Sequence, residues 1–235
     1  YGIMYLIAFL IFYYLFQRLQ SNRDLSLSKD TISSILSWSV VGVIAGGRLG
    51  YVFFYDLSYF LDNPQQILSV WNGGMSSHGG FLGVAIVLFF TLKKTQTSFL
   101  AFADVAVIPI AVGLALGRFG NYINQELYGT ITTLPWGMEF AGTEGIRHPT
   151  QFYAIGKDLI IAFCCYWHLR KFATYGSTLS LFLVLYSVLR FLIEFVRVQE
   201  YEAIAGFTRG QFLTIPLFII GVTLFWKITN QRYHR

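Results

Sequence analysis

The chain has 235 residues, 55% of them hydrophobic and only 12% charged, with five prolines and two cysteines. A mean hydropathy of +0.55 is too high for a soluble domain of this length and indicates a polytopic membrane protein; with no low-complexity run or long linker, residues 1–235 read as a single membrane-embedded domain. The formal charge of +5 sits mostly beside apolar runs, which fits anchoring to a lipid bilayer and argues against nucleic acid as a partner.

Seven apolar segments follow one another, at about 1–16, 32–55, 79–92, 99–116, 152–169, 177–196 and 211–228. They predict an all-α bundle of about seven transmembrane spans. The first, Tyr1–Phe16, is short of the ~20 residues a span needs, so the natural chain is expected to begin earlier. Short cytoplasmic loops collect lysine and arginine. Arg18, Arg23 and Lys29 follow the first segment, Lys93 and Lys94 the third, Arg170 and Lys171 the fifth, and Lys227, Arg232 and Arg235 the last. That alternation places Tyr1 outside and the C-terminus in the cytoplasm, with loops 56–78, 117–151 and 197–210 on the outer face. The other basic residues, Arg48, Arg118, Arg147, Lys157, Arg190, Arg197 and Arg209, lie near that outer side and run against the trend, so they have another purpose.

The second segment ends in Gly46-Gly47-Arg48-Leu49-Gly50-Tyr51, where small residues allow close helix contact around one arginine. The loop after it leads to Ser77-His78-Gly79-Gly80. A histidine at the mouth of a span can accept a proton, its ordinary pKa being about 6.5; it can equally serve as a hydrogen-bonding group in a tight turn.

Gly117-Arg118-Phe119-Gly120-Asn121-Tyr122-Ile123-Asn124-Gln125-Glu126-Leu127-Tyr128-Gly129 follows directly on the apolar run Val105–Leu116. A charged side chain at bilayer depth costs about 3 kcal/mol or more and normally faces a cavity or partner. If 117–125 stays helical, Arg118, Asn121 and Gln125 share one face, which suits either an anion pocket or a polar helix end at the interface. Arg147-His148-Pro149-Thr150-Gln151 reads as a proline-initiated helix entry, and Thr208-Arg209-Gly210-Gln211 as a second cap; Gln151 and Gln211 enter from the same side as the arginines. Between these entries, Cys164 and Cys165 lie inside an apolar run without metal or redox spacing and read as buried small hydrophobes. His78, His148, His168 and His234 are too far apart in sequence to form a recognisable metal motif, so no metal or other cofactor is expected.

Tyr186, Arg190, Glu194 and Arg197, at i, i+4, i+8 and i+11, form one polar stripe on an apolar helix. An Arg–Glu pair joining two helices would account for part of it. Two arginines against one glutamate leave positive charge over, however, and a guanidinium holds phosphate through parallel hydrogen bonds.

Taken together, Tyr1-Gly2-Ile3-Met4-Tyr5, Gly47–Tyr51, Ser77–Gly80, Gly117–Gly129, Arg147–Gln151, Arg190–Arg197 and Gly210-Gln211 resemble the bacterial prolipoprotein diacylglyceryl transferases, in that family's order and along the whole chain. The resemblance implies seven inner-membrane helices with the active site towards the periplasm. It also implies transfer of an sn-1,2-diacylglyceryl group from phosphatidylglycerol to the lipobox cysteine of a prolipoprotein signal peptide, with loss of glycerol 1-phosphate. By the same resemblance Tyr1, His78, Arg118, Asn121, Glu126, Gly129, Tyr186, Arg190 and Glu194 occupy functional positions. Two departures stand out: Thr130 replaces a usual arginine, and the outer segment 130–146 is short.

These readings combine into one expectation. Arg118 and Arg190 clamp the phosphate, and His78 is the candidate base for the thiol. Tyr1, Arg48, Asn121, Glu126, Gly129, Tyr186, Glu194 and Arg197 shape the substrate site. A noncatalytic phospholipid-binding protein or an anion transporter remains the competing class.

Overall fold

The computed structural model describes residues 1–199 and 206–233, without the side chains of Ser77 and 231–233. The middle of the expected outer loop 197–210, the side chain of Arg232, and His234 and Arg235 therefore lie outside the described residues. The described chain is helical: α1 Gly2–Leu19, α2 Lys29–Phe54, α3 Leu57–Asp62, α4 Ser77–Lys94, α5 Phe99–Ile123, α6 Thr150–Lys171, α7 Ser177–Glu194 and α8 Arg209–Tyr233. Each of the seven apolar segments becomes one long helix, and the short α3 is the addition. Five helices, α1, α2, α5, α7 and α8, are long and apolar enough to cross a membrane. The helices α4 and α6 fall outside that set; α6 carries Lys157, Asp158, His168, Arg170 and Lys171 along its length.

The chain divides into two compact units, Ser26–Phe99 and Tyr1–Leu25 with Leu100–Arg235. In the smaller, α2 starts at an N-cap, Ser28, whose hydroxyl accepts from Thr31 N at 3.1 Å, and α4 at Ser76, which accepts from Gly79 N at 3.3 Å. Gly42 and Gly46 on α2 press against Gly83 and Gly79 on α4, so closely that a Cβ at any of them would meet the facing backbone. Small residues at such a crossing let two backbones approach, the usual basis of helix association in lipid.

In the larger unit α5 is central: 61% of its apolar window is buried, against 11–28% for the other four candidate spans. The Phe16 ring of α1 packs tilted against Phe102 of α5, centroids 4.9 Å apart, and Ser180 of α7 donates to the Gly221 carbonyl of α8 at 2.8 Å. One end of this unit is locked by a buried ion pair. Arg23 Nε donates to Asp104 Oδ2 at 2.6 Å, both side chains being fully buried. The Asp104 carboxylate also accepts from Gly176 N at 2.9 Å and Leu179 N at 2.8 Å, filling donors that the start of α7 would otherwise leave unpaired. Arg23 also donates to Thr178 Oγ1 and to the carbonyls of Asn22 and Leu169. Arg23 is thus a buried clasp as well as a basic residue at a span end.

Candidate functional site

The other end of the larger unit brings together the end of α5, the start of α6, the end of α7 and the start of α8. The helix α5 runs to Ile123, keeping Arg118 and Asn121 on one face, and then breaks. Gln125 and Leu127 both take left-handed backbone conformations, with φ of 57° and 59°, which cost energy in residues with a Cβ. Gln125 consequently leaves the face it would share with Arg118 in a longer helix, and bonds the Tyr122 carbonyl and Ala141 N instead. The start of α6 holds the strained turn in place. Thr150 Oγ1 donates to the Leu127 carbonyl and Gln151 Nε2 to the Glu126 carbonyl, each at 2.7 Å.

Four sequence-predicted residues join in a single network here. Asn121 Oδ1 accepts from Arg118 Nη1 at 3.3 Å; its Nδ2 donates to Glu126 Oε1 at 2.9 Å and to the Tyr1 hydroxyl. On α7, Arg190 Nη2 lies 2.8 Å from Glu194 Oε2, an ion-pair distance though not aligned as a hydrogen bond, and Arg197 Nη1 lies at 3.9 Å from the same oxygen. Glu194 is 4% exposed. Its carboxylate packs against Gly210 in the first turn of α8, where the helix dipole favours negative charge; Thr208 and Gln211 close that turn by bonding each other's backbone amides. Tyr186, one turn before Arg190, carries the Lys157 ammonium 4.3 Å above its ring. Lys157 pairs with its neighbour Asp158, and both are buried. Sequence reasoning had marked Lys157 only as a basic residue against the positive-inside trend and had missed its partner Asp158.

Gly129 ties the connection between α5 and α6 to the site. Its N donates to the His148 carbonyl at 2.9 Å, Thr130 N donates to the Val196 carbonyl at 2.9 Å, and Gly129 faces Arg197 in an isolated antiparallel bridge. A Cβ at Gly129 would lie 2.5–2.9 Å from Val196 O, His148 Cβ and His148 O. Gly129→Ala should therefore displace the segment that carries Arg197. Since a shift of about 1 Å can cost roughly a hundredfold in rate, the group transfer that the resemblance implies is expected to fall about a hundredfold in this variant, assayed in purified membranes.

Arg118, Arg190 and Arg197 line one cleft, with Leu127, Thr150, Gln151, Ala154 and Ile193 completing its wall. Its free space is about 10 Å³, the room of a single water, so a phosphate enters only as the guanidiniums move apart. Three guanidiniums against the Glu126 and Glu194 carboxylates leave one positive charge, the complement of a phosphodiester.

Arg48 and His78 belong to the smaller unit. Arg48 is buried and donates to the carbonyls of Gln66, Ile67, Gly73 and Gly74 at 2.6–3.1 Å, with its guanidinium 5.0 Å from the Phe60 ring. In this arrangement it secures the loop between α3 and α4. His78 lies in the first turn of α4 with its side chain exposed. Among the described residues, no group of three or more His, Cys, Asp or Glu is placed to hold a metal ion.

A multi-helix membrane protein with a guanidinium-lined cleft at one end of its bundle is the class that these features define. The model of the prolipoprotein diacylglyceryl transferase family matches residues 1–227. A phosphatidylglycerol–prolipoprotein diacylglyceryl transferase of Geobacter sulfurreducens is 39% identical over 237 residues, covering 99% of this chain and 91% of its own length. Relatives of the same name from Nitratidesulfovibrio vulgaris and Pseudomonas entomophila are 41% and 38% identical over 231 and 241 residues, covering 95% and 99% of this chain and 88% and 90% of their own. The chain belongs to the prolipoprotein diacylglyceryl transferase family.

Proposed function

We propose that this chain transfers the sn-1,2-diacylglyceryl group of phosphatidylglycerol to the lipobox cysteine thiol of a prolipoprotein signal peptide, at the periplasmic side of the inner membrane. The convergence of Arg118, Arg190 and Arg197 on one cleft carries this reading. The cysteine sulfur attacks the glycerol carbon that bears the phosphate ester, forming the C–S thioether bond. The C–O bond breaks with its electron pair staying on oxygen, and glycerol 1-phosphate departs. Negative charge thus grows on the phosphate oxygens, where fixed cations lower the barrier most. Asn121 and Glu126 set the orientation of Arg118, and Glu194 that of Arg190. The basic residues that follow the first, third, fifth and last apolar segments support a cytoplasmic C-terminus.

A thiol of pKa about 8.5 is only a few per cent ionised at neutral pH, so a proton acceptor near the peptide speeds attack. His78 takes that role in this reading, its exposed side chain being open to a substrate. His78→Ala is expected to lower transfer about a hundredfold or more at pH 7, with part of the loss recovered at pH 9 as the thiol ionises unaided; unchanged transfer at pH 7 removes His78 from the chemistry. The reading as a whole is tested by incubating the purified protein with phosphatidylglycerol labelled in its acyl chains and a lipobox peptide. Label on the peptide cysteine supports it. Lipid bound without transfer marks a lipid-binding protein instead.

A further inference from the structure

Gln151 is 1% exposed and sits in the wall of the arginine cleft. Its Nε2 is committed to the Glu126 carbonyl at 2.7 Å. Because that partner can only accept, the amide nitrogen must face it and the oxygen must face away. Among the described residues no donor meets Gln151 Oε1, although the atom is buried. A buried acceptor left without a donor is costly and needs an explanation.

The cleft supplies none, since its guanidiniums do not reach that oxygen in hydrogen-bond geometry. Nor can a phosphate, whose oxygens in a diester only accept. A ligand that carries a hydroxyl or similar group a few bonds from its phosphate can supply the donor that Gln151 Oε1 lacks. On phosphatidylglycerol the headgroup glycerol hydroxyls are such donors. An ammonium headgroup would meet the surplus positive charge of the cleft and be repelled.

We propose that Gln151 is a specificity-determining residue: its Oε1 accepts a hydrogen bond from a headgroup glycerol hydroxyl while Arg118 and Arg190 hold the adjoining phosphate. This rests on the reading of the cleft as the phosphatidylglycerol site. The hydroxyl stays on the leaving glycerol phosphate, so the contact is made alike before and during bond breaking. It therefore tightens lipid binding, and KM, more than it raises kcat.

The test compares binding of phosphatidylglycerol and phosphatidylpropanol, with identical acyl chains, to purified wild-type, Gln151→Leu and Gln151→Glu proteins in detergent. Phosphatidylpropanol keeps the phosphodiester and lacks both hydroxyls. Wild type is expected to prefer phosphatidylglycerol by about tenfold to a hundredfold, the usual cost of leaving a buried acceptor unpaired. Gln151→Leu should bind the two lipids alike. Gln151→Glu should bind both more weakly, because it adds negative charge and can no longer donate to the Glu126 carbonyl, yet retain the preference through its free oxygen. Equal binding by wild type, or an undiminished preference in Gln151→Leu, overturns the proposal. Should Gln151→Leu fail to accumulate, loss of the preference in Gln151→Glu overturns it equally. Label transfer by the same wild-type preparation is scored separately: preference without transfer counts against the proposed reaction, and transfer without preference against the role of Gln151.

Discussion

Arg118→Ala is expected to lower diacylglyceryl transfer by a factor of about a hundred to a thousand, as for loss of one group that stabilises developing oxyanion charge. The cleaner of the two clamp variants is this one. Arg118 bonds a neutral amide, Asn121 Oδ1, at 3.3 Å, and its removal strands no buried carboxylate. Arg190→Ala, by contrast, takes away the nearest cation of Glu194, which is 4% exposed; that variant mixes lost catalysis with lost stability. Arg118→Lys should recover little, because an ammonium keeps the charge without the two-pronged donor geometry. Steady-state transfer to a lipobox peptide, normalised to folded protein, measures the effect, and a nearly active Arg118→Ala protein contradicts the clamp.

Asp104→Ala should produce the largest loss of stability. It removes the carboxylate that pairs with Arg23 at 2.6 Å and caps α7 through Gly176 N and Leu179 N. An uncompensated charge is then left in a fully buried site, at a cost of about 3–5 kcal/mol, a large share of the roughly 5–15 kcal/mol that keeps an ordinary domain folded. The protein is expected to accumulate poorly and to lose its thermal transition in detergent. Removing both partners, as in Arg23→Leu with Asp104→Leu, should be milder than Asp104→Ala alone, since no charge is stranded. This clasp lies at the opposite end of the unit from the arginine cleft, so any folded fraction should keep near-normal transfer. A double variant less stable than Asp104→Ala would show that the network, rather than the stranded charge, sets the cost.

What could be read from the sequence was local or periodic. Apolar length located the seven long helices, and the spacing of Tyr186, Arg190 and Glu194 placed them along one face of α7. The tie between Arg118 and Asn121 followed from their three-residue separation. What could not be read depended on groups distant in the chain. Arg23 looked like one more loop cation, because its partner Asp104 is 81 residues away. Arg48 read as an arginine at a close helix contact that shapes the substrate site, because the four carbonyls that occupy it belong to an irregular loop with no sequence signature. The break at Gln125 and Leu127 was hidden for a related reason. Neither residue favours a left-handed backbone, and the turn is held by side chains from α6.

The two arginines acting on one phosphate are tested most directly by determining the structure of the full chain with phosphatidylglycerol bound. Phosphate oxygens should lie about 2.7–2.9 Å from guanidinium nitrogens of both Arg118 and Arg190, the distance of charge-assisted hydrogen bonds. A headgroup seated elsewhere, with the phosphate in reach of neither arginine or of only one, would contradict the account.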